Sequence, residues 1–308
     1  MQEVVISENL TKSYGKTKAI SDLSFSVSKG ELFGFIGPDG AGKTTTFRIL
    51  ATLLVPDKGF ARLLGLDSIK DYKKIRNLLG YMPGRFSLYQ DLSIEENLSF
   101  FASIFGATIK ENYYLIKDIY EQIEPFRKRK AGKLSGGMKQ KLALSCALIH
   151  KPEILILDEP TTGVDAVSRK EFWEMLGKLK SQGISIIVST PYMDEASLCD
   201  RVALIQEGTI MSIDTPDNIT ASFESALYAV RGSNMYKLLR AMEKFEFCSS
   251  VYPFGESLHY TDKRGRADFD EIKAYLLQND ISNIEIKQAV PVIEDSFMQL
   301  MRKRGNER

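Results

Sequence analysis

Cysteine is scarce in this chain. Its three copies, Cys146, Cys199 and Cys248, are scattered, odd in number and without metal-ligand spacing. They read as reduced core or surface residues in a reducing compartment rather than as a disulfide framework. No uninterrupted apolar run approaches the roughly 18 residues a membrane-spanning helix needs. The opening stretch MQEVVISENL lacks the basic start and long apolar segment of a secretory signal. The expectation is a cytoplasmic chain, peripheral at the cell membrane only through a partner. Excess charge is missing as well: Lys plus Arg is 41 and Asp plus Glu is 40, for a net charge of +1. Without a global field, a nucleic-acid partner is not expected.

What is present is ordinary globular material, 44% apolar and 26% charged. At 308 residues a single core is stretched, and two domains of unequal size are expected. The chain is organised around residues 31–50, ELFGFIGPDGAGKTTTFRIL. Leu32, Phe33, Phe35 and Ile36 read as a short buried strand, which breaks into Gly37, Pro38, Asp39, Gly40, Ala41, Gly42, Lys43, Thr44 and Thr45, where an amphipathic helix begins. This is the P-loop spacing, G-x-x-x-x-G-K-[ST], in its strand–loop–helix context. Glycines let successive N–H groups turn toward phosphate oxygens, and the helix N-terminus adds partial positive charge. Lys43 is expected to reach the β- and γ-phosphates, and the Thr44 hydroxyl to hold Mg²⁺. The ligand implied is a nucleoside triphosphate.

Before the P-loop, alternating apolar and polar residues predict antiparallel strands over 4–10 and 19–27, joined by a turn at 13–16. After it, 56–59 closes the helix and 80–83 ends another short strand. Residues 92–105, 113–126 and 138–149 carry helical spacing and suggest an all-helical subdomain over about 92–150. The apolar run 153–157 fits a buried parallel strand, followed by a helix over 168–182, a buried strand over 184–189, and a hairpin over 202–213. The fold class expected is α/β: a mostly parallel sheet with an antiparallel edge. Beyond 218 the order β-α-β-β-α-β over 227–303 predicts a small ferredoxin-like α+β unit. The domains expected are thus 1–218 and a small accessory domain over 219–308.

Four further stretches line up with the P-loop in fixed order. Leu134, Ser135, Gly136, Gly137, Met138, Lys139 and Gln140 match the ABC signature; a serine and two glycines before a helix also make a second anion-binding N-terminus. Ile154–Leu157 followed by Asp158 and Glu159 resembles Walker B with its glutamate, and Gly163-Val164-Asp165 resembles the D-loop. Tyr14 stands where the family that carries this signature stacks an aromatic on adenine. Over roughly residues 4–214 the chain resembles the ATP-binding subunits of ABC transporters, most closely those of drug- and polysaccharide-type exporters.

That resemblance implies ATP and Mg²⁺ as cofactors, with Asp158 on the metal through its water shell and Glu159 orienting the attacking water. It implies two partners: multi-span membrane subunits facing residues 84–96, and a second ATP-binding domain. In the family two such domains meet head to tail, and each ATP lies between one P-loop and the other's signature, with Asp165 communicating across the dimer. The alternative is a non-transport ATP-dependent switch or a regulatory nucleotide sensor of the same fold.

Two positions depart from the family pattern. Gly84 stands where the family places a glutamine, and Pro191 where it places a histidine that contacts the γ-phosphate. The chain has only two histidines, His150 and His259, and neither lies near this position. Gln90 follows Gly84 closely and is the one nearby substitute for the glutamine. Proline donates nothing, so the expectation is an ATP-binding chain with low turnover of its own and an intact signature serving a competent partner.

Overall fold

The computed structural model describes residues 2–306. The chain separates into two compact units, Met1–Asp217 and Asn218–Arg308.

The first unit opens with a hairpin of two long strands, β1 (Glu3–Tyr14) and β2 (Thr17–Ser28). Then follow β3 (Leu32–Ile36), α1 (Lys43–Leu50), β4 (Lys58–Leu63), β5 (Leu66–Asp67), α2 (Tyr72–Leu78) and β6 (Leu79–Met82). Three helices come next, α3 (Ile94–Ile104), α4 (Ile109–Tyr120) and α5 (Gly136–Leu148). The unit closes with β7 (Ile154–Asp158), α6 (Ala166–Ser181), β8 (Ser185–Thr190), β9 (Arg201–Gln206) and β10 (Thr209–Asp214). The unit boundary falls within α7 (Pro216–Ala221).

These strands make two sheets. One has the order β2-β1-β4-β5 and is antiparallel; the other has the order β10-β9-β3-β8-β7-β6, parallel except for the β9–β10 edge. Every residue of β3, β7 and β8 is buried, as strands covered on both faces require. An aromatic cluster fastens the sheets to α1: Phe35 lies edge-on to Phe25 (ring centroids 4.9 Å apart), Phe33 (5.6 Å) and Phe47 (5.5 Å). Such pairs contribute about 0.5–1.5 kcal/mol each beyond their buried area. Helices α3 and α4 start on full capping boxes, Ser93 with Glu96 and Thr108 with Glu111.

The sequence pattern missed β4, β5 and α2. The stretch over 56–59 does end the segment after α1, yet Lys58 and Gly59 already belong to β4, which pairs with β1. Gly59 has φ +76, and a Cβ there would lie 2.3 Å from the Glu8 carbonyl oxygen, so the turn residue is also the close-approach point.

The second unit runs β11 (Leu227–Arg231), α8 (Met235–Lys244), β12 (Cys248–Phe254), β13 (Ser257–Asp262), α9 (Phe269–Gln278), β14 (Glu285–Ala289) and α10 (Ile293–Asn306). Its sheet order, β12-β13-β11-β14, is antiparallel throughout and is that of a split βαβ, ferredoxin-like fold. Asp295, with no exposed surface, accepts from the Tyr252 hydroxyl (2.7 Å), His259 Nδ1 (2.6 Å) and the Val292 N–H (2.7 Å). Three donors satisfy this buried carboxylate, and the two from β12 and β13 clamp α10 to the sheet. Asp295→Ala leaves those donors unpaired and should cost about 3 kcal/mol of local stability. Hydrogen exchange of the β13 amides should accelerate by about two orders of magnitude; a change under threefold would show that the clamp does not hold this unit.

Candidate nucleotide site

The chain's chemistry-bearing side chains meet where β3, β7 and β8 end side by side. Parallel pairing sets Ile36 opposite Thr190 and Asp158 opposite Ser189, so the P-loop and the two acids leave strand ends on either side of β8, at the edge where ligands of open α/β sheets bind. Backbone bonds reinforce this: the Gly37 N–H reaches the Thr190 carbonyl (3.3 Å), and the Glu159 N–H the Ser189 carbonyl (3.2 Å).

The P-loop glycines have distinct reasons. A Cβ on Gly37 would lie 2.1 Å from the Ile205 carbonyl oxygen. Gly42 has φ +102, and its Cβ would lie 2.7 Å from the Ala19 carbonyl oxygen on β2. Gly40 has φ +78 but open space around it. The Ala41 carbonyl accepts from the Gly208 N–H (3.0 Å), which ties the loop to the β9–β10 turn. Asp39 and Gly40 are exposed at its tip, Pro38 and Thr45 are half-buried, and Ala41 is buried.

Lys43 is buried, and its ammonium has three acceptors: the carbonyls of Gly37 (2.7 Å) and Pro38 (3.0 Å), and Glu159 Oε1 at 3.1 Å. The Thr44 hydroxyl donates to Asp158 Oδ1 (3.2 Å), which also accepts from the Ser189 hydroxyl (2.8 Å). Burial raises the Asp158 pKa above the usual carboxylate range, against the lowering effect of those two hydroxyls. Glu159 adopts a left-handed φ of 48°, held by its N–H bonds to Ser189. Thr44 and Asp158 supply hard oxygen donors of the kind Mg²⁺ takes alongside waters and phosphates. Among the described residues no cluster of three or more His, Cys, Asp or Glu could hold a metal by itself. The donor set therefore fits a metal that arrives with phosphate.

Gly84 and Pro191 flank this site. Gly84 follows β6 and Pro191 follows β8, the two neighbours of β7. A Cβ on Gly84 would lie 3.0 Å from the Asp158 carbonyl oxygen. The Gln90 side chain packs beside Gly132 instead, and the Gln90 backbone carbonyl accepts from the Gly132 N–H (2.9 Å). Tyr14, 48% exposed, ends β1 at the hairpin whose second strand packs on Gly42.

In the signature stretch, Leu134 is buried and Ser135 caps α5 by accepting from the Met138 N–H (3.4 Å). Gly136 and Gly137 form its first turn. A Cβ on Gly137 would lie 2.6 Å from Ser168 Oγ, so only glycine lets α5 start this close to α6. Asp165 caps α6 by accepting from the Ser168 N–H (3.0 Å), which holds its pKa below the usual range. Gln140 is half-buried and lines an apolar groove of about 280 Å³ with Phe86, Leu88, Phe101 and Phe105, which reaches Gly84 and Glu159.

Sequence reasoning missed two groups. Ser189 bridges the two acids. Buried Glu195 accepts from the hydroxyls of Thr190 and Thr161 through Oε2, and the Arg169 guanidinium, 4.0 Å from its Oε1, lies over the Tyr192 ring. Neither has a spacing signature, because Ser189 meets the end of β7 and Glu195 draws on Thr161 and Arg169, all distant in sequence.

The sequence model of the family described as "ABC transporter" matches residues 20–162. A Nod factor export ATP-binding protein I of Rhizobium sp. (strain N33) is 33% identical over 306 residues, covering 97% of this chain and 98% of that protein. The chain belongs to the ABC transporter family. A probable multidrug ABC transporter ATP-binding protein, YbhF of Escherichia coli (strain K12), is 40% identical over 99% of the chain. This ABC chain spans about half the length of that relative, 53%. Among solved structures, one described as the ATP-binding subunit of an ABC transporter is 27% identical with a TM-score of 0.65, covering 71% of this chain and 93% of that one. The first unit thus has the ABC-type P-loop NTPase fold.

The glycine geometry makes a graded prediction. Gly40→Ala meets only the backbone cost, about 1 kcal/mol, and should weaken ATP binding about fivefold at most. Gly42→Ala adds a clash with β2 and should weaken it at least tenfold more. Titration of a fluorescent ATP analogue compares them; equal losses would contradict the close-approach argument.

Proposed function

We propose that the chain is the ATP-binding subunit of an ABC exporter, an ABC-type ATPase whose own P-loop side turns over slowly. The observation that carries this is the hydrogen-bonded group of Lys43, Thr44, Asp158, Glu159 and Ser189 at one sheet end, with no side-chain donor at either flanking position, Gly84 or Pro191.

Residues 37–45 hold the triphosphate, Tyr14 stacks on adenine, and Thr44 with Asp158 holds Mg²⁺, which supplies charge neutralisation at the phosphates. Glu159 orients the attacking water. A phosphate at Lys43 competes with Glu159 for the same ammonium, so binding exchanges one anion for another and leaves the carboxylate to act on water. Leu134 through Gln140 serve a partner's ATP, and Asp165 links the two sites. Export is supported by the Nod factor export and multidrug relatives. A membrane subunit docks in the apolar groove beside residues 84–96 and makes the chain peripheral at the membrane; the second unit is an accessory domain.

Removing one preorganised donor from a developing oxyanion costs roughly 10²–10³ in rate. The purified chain should bind ATP with Mg²⁺ yet hydrolyse it slowly, and Pro191→His should raise turnover about tenfold or more, with affinity within about threefold. Steady-state phosphate release with Glu159→Gln as the zero-activity control tests this. Family-typical turnover by the unmodified chain, abolished by Glu159→Gln, would overturn the impaired-site reading.

A further inference from the structure

Strand β8 changes character at its end. Ile186, Ile187 and Val188 are apolar and wholly buried, and the next two residues, Ser189 and Thr190, are hydroxylic and equally buried. Buried hydroxyls need partners, and each of these two finds a carboxylate: Thr190 finds Glu195 and Ser189 finds Asp158. Only the second lies in the nucleotide site.

The direction of bonding at Ser189 is fixed by proton count. Its hydroxyl has one proton, which goes to Asp158 Oδ1 at 2.8 Å. It therefore accepts at its lone pair, from the Glu159 N–H at 2.9 Å. One side chain thus orients the carboxylate of the first acid and the left-handed backbone of the second. Thr44 converges on the same oxygen, Oδ1, so neither hydroxyl uses Oδ2. When Thr44 turns its oxygen to a metal, Ser189 remains as the donor that fixes the Asp158 plane.

We propose that Ser189 is a positioning residue for magnesium–nucleotide binding, acting through Asp158 and Glu159. The inference rests on the reading of Asp158 as the metal-side carboxylate. Outer-shell partners of metal-side groups commonly alter metal affinity 10- to 100-fold. A filler of buried space would instead affect ATP binding with and without metal alike. The Glu159 N–H retains the Ser189 carbonyl at 3.2 Å as its second acceptor when the hydroxyl is removed, so the turn survives substitution.

The test uses the full chain and measures ATP affinity in excess Mg²⁺ and in EDTA, together with Mn²⁺ binding to the ATP complex by electron paramagnetic resonance. Ser189→Ala should weaken ATP binding about tenfold in Mg²⁺ while leaving the EDTA value within about twofold, and should weaken Mn²⁺ binding in step. Should the alanine variant fail to fold, Ser189→Cys, similar in size with a weak donor, gives the same comparison. Equal loss with and without metal, or no loss, overturns the proposal. Asp158→Asn separates the two readings. If it leaves the Mg²⁺ dependence intact, the metal-side assignment of Asp158 falls and the proposal with it. If it removes that dependence and Ser189→Ala does not reduce it, only the role of Ser189 falls.

Discussion

The parallel register of β3, β8 and β7 is the constraint on which the site depends. Pairing Ile36 with Thr190 and Asp158 with Ser189 brings three strand ends level. A one-residue slip would turn Asp158 to the opposite face of the sheet and would separate Thr44 from it. The register is enforced by burial on both faces, since β3, β7 and β8 carry no exposed residue. Packing far from any ligand therefore sets a 3.2 Å hydroxyl–carboxylate contact in the site.

Electrostatics inside that frame are nearly balanced. One buried ammonium, Lys43, faces one half-buried carboxylate, Glu159, and one buried carboxylate, Asp158. Burying charges costs several kcal/mol per ion unless partners are supplied, and here they are: two carbonyls for Lys43 and two hydroxyls for Asp158. Burial still dominates at Asp158 and lifts its pKa. A divalent cation reverses that balance, because it becomes the largest local charge. A divalent cation would supply the positive charge that the two carboxylates lack beside Lys43.

Much of this was legible in the sequence because it is local. The P-loop, the two acids after an apolar run, and the serine and glycines before α5 are contiguous strings whose chemistry depends on neighbours in sequence. The β-α-β-β-α-β order of the second unit was readable for the same reason, since each element carries its own period. Strands β4 and β5 escaped notice because Lys58–Leu63 mixes a turn signal, Lys58-Gly59, with only one full alternation, and its pairing partner β1 lies some fifty residues away. Ser189 and Glu195 were invisible for a stricter reason. Each is one polar residue within or just after a buried strand, and its role appears only once β7 and β8 are side by side.

The same topology sets the two departures from the family pattern around one pair of acids. The sheet order places β7 between β8 and β6, so Pro191 and Gly84 stand on opposite sides of Asp158 and Glu159. Each removes a potential donor, and each donor is worth roughly 3–4 kcal/mol at a developing charge. The two losses do not simply add, because groups serving one transition state act as a unit. The signature helix α5 belongs to neither sheet, and its start is fixed by Ser135, Gly137 and the Ser168 contact. Its N-terminal turn is thus set by α6, while further along Gln140 shares the apolar groove that reaches Gly84. The P-loop and the signature stretch are thus built on elements other than the ends of β6 and β8, where the two departures stand.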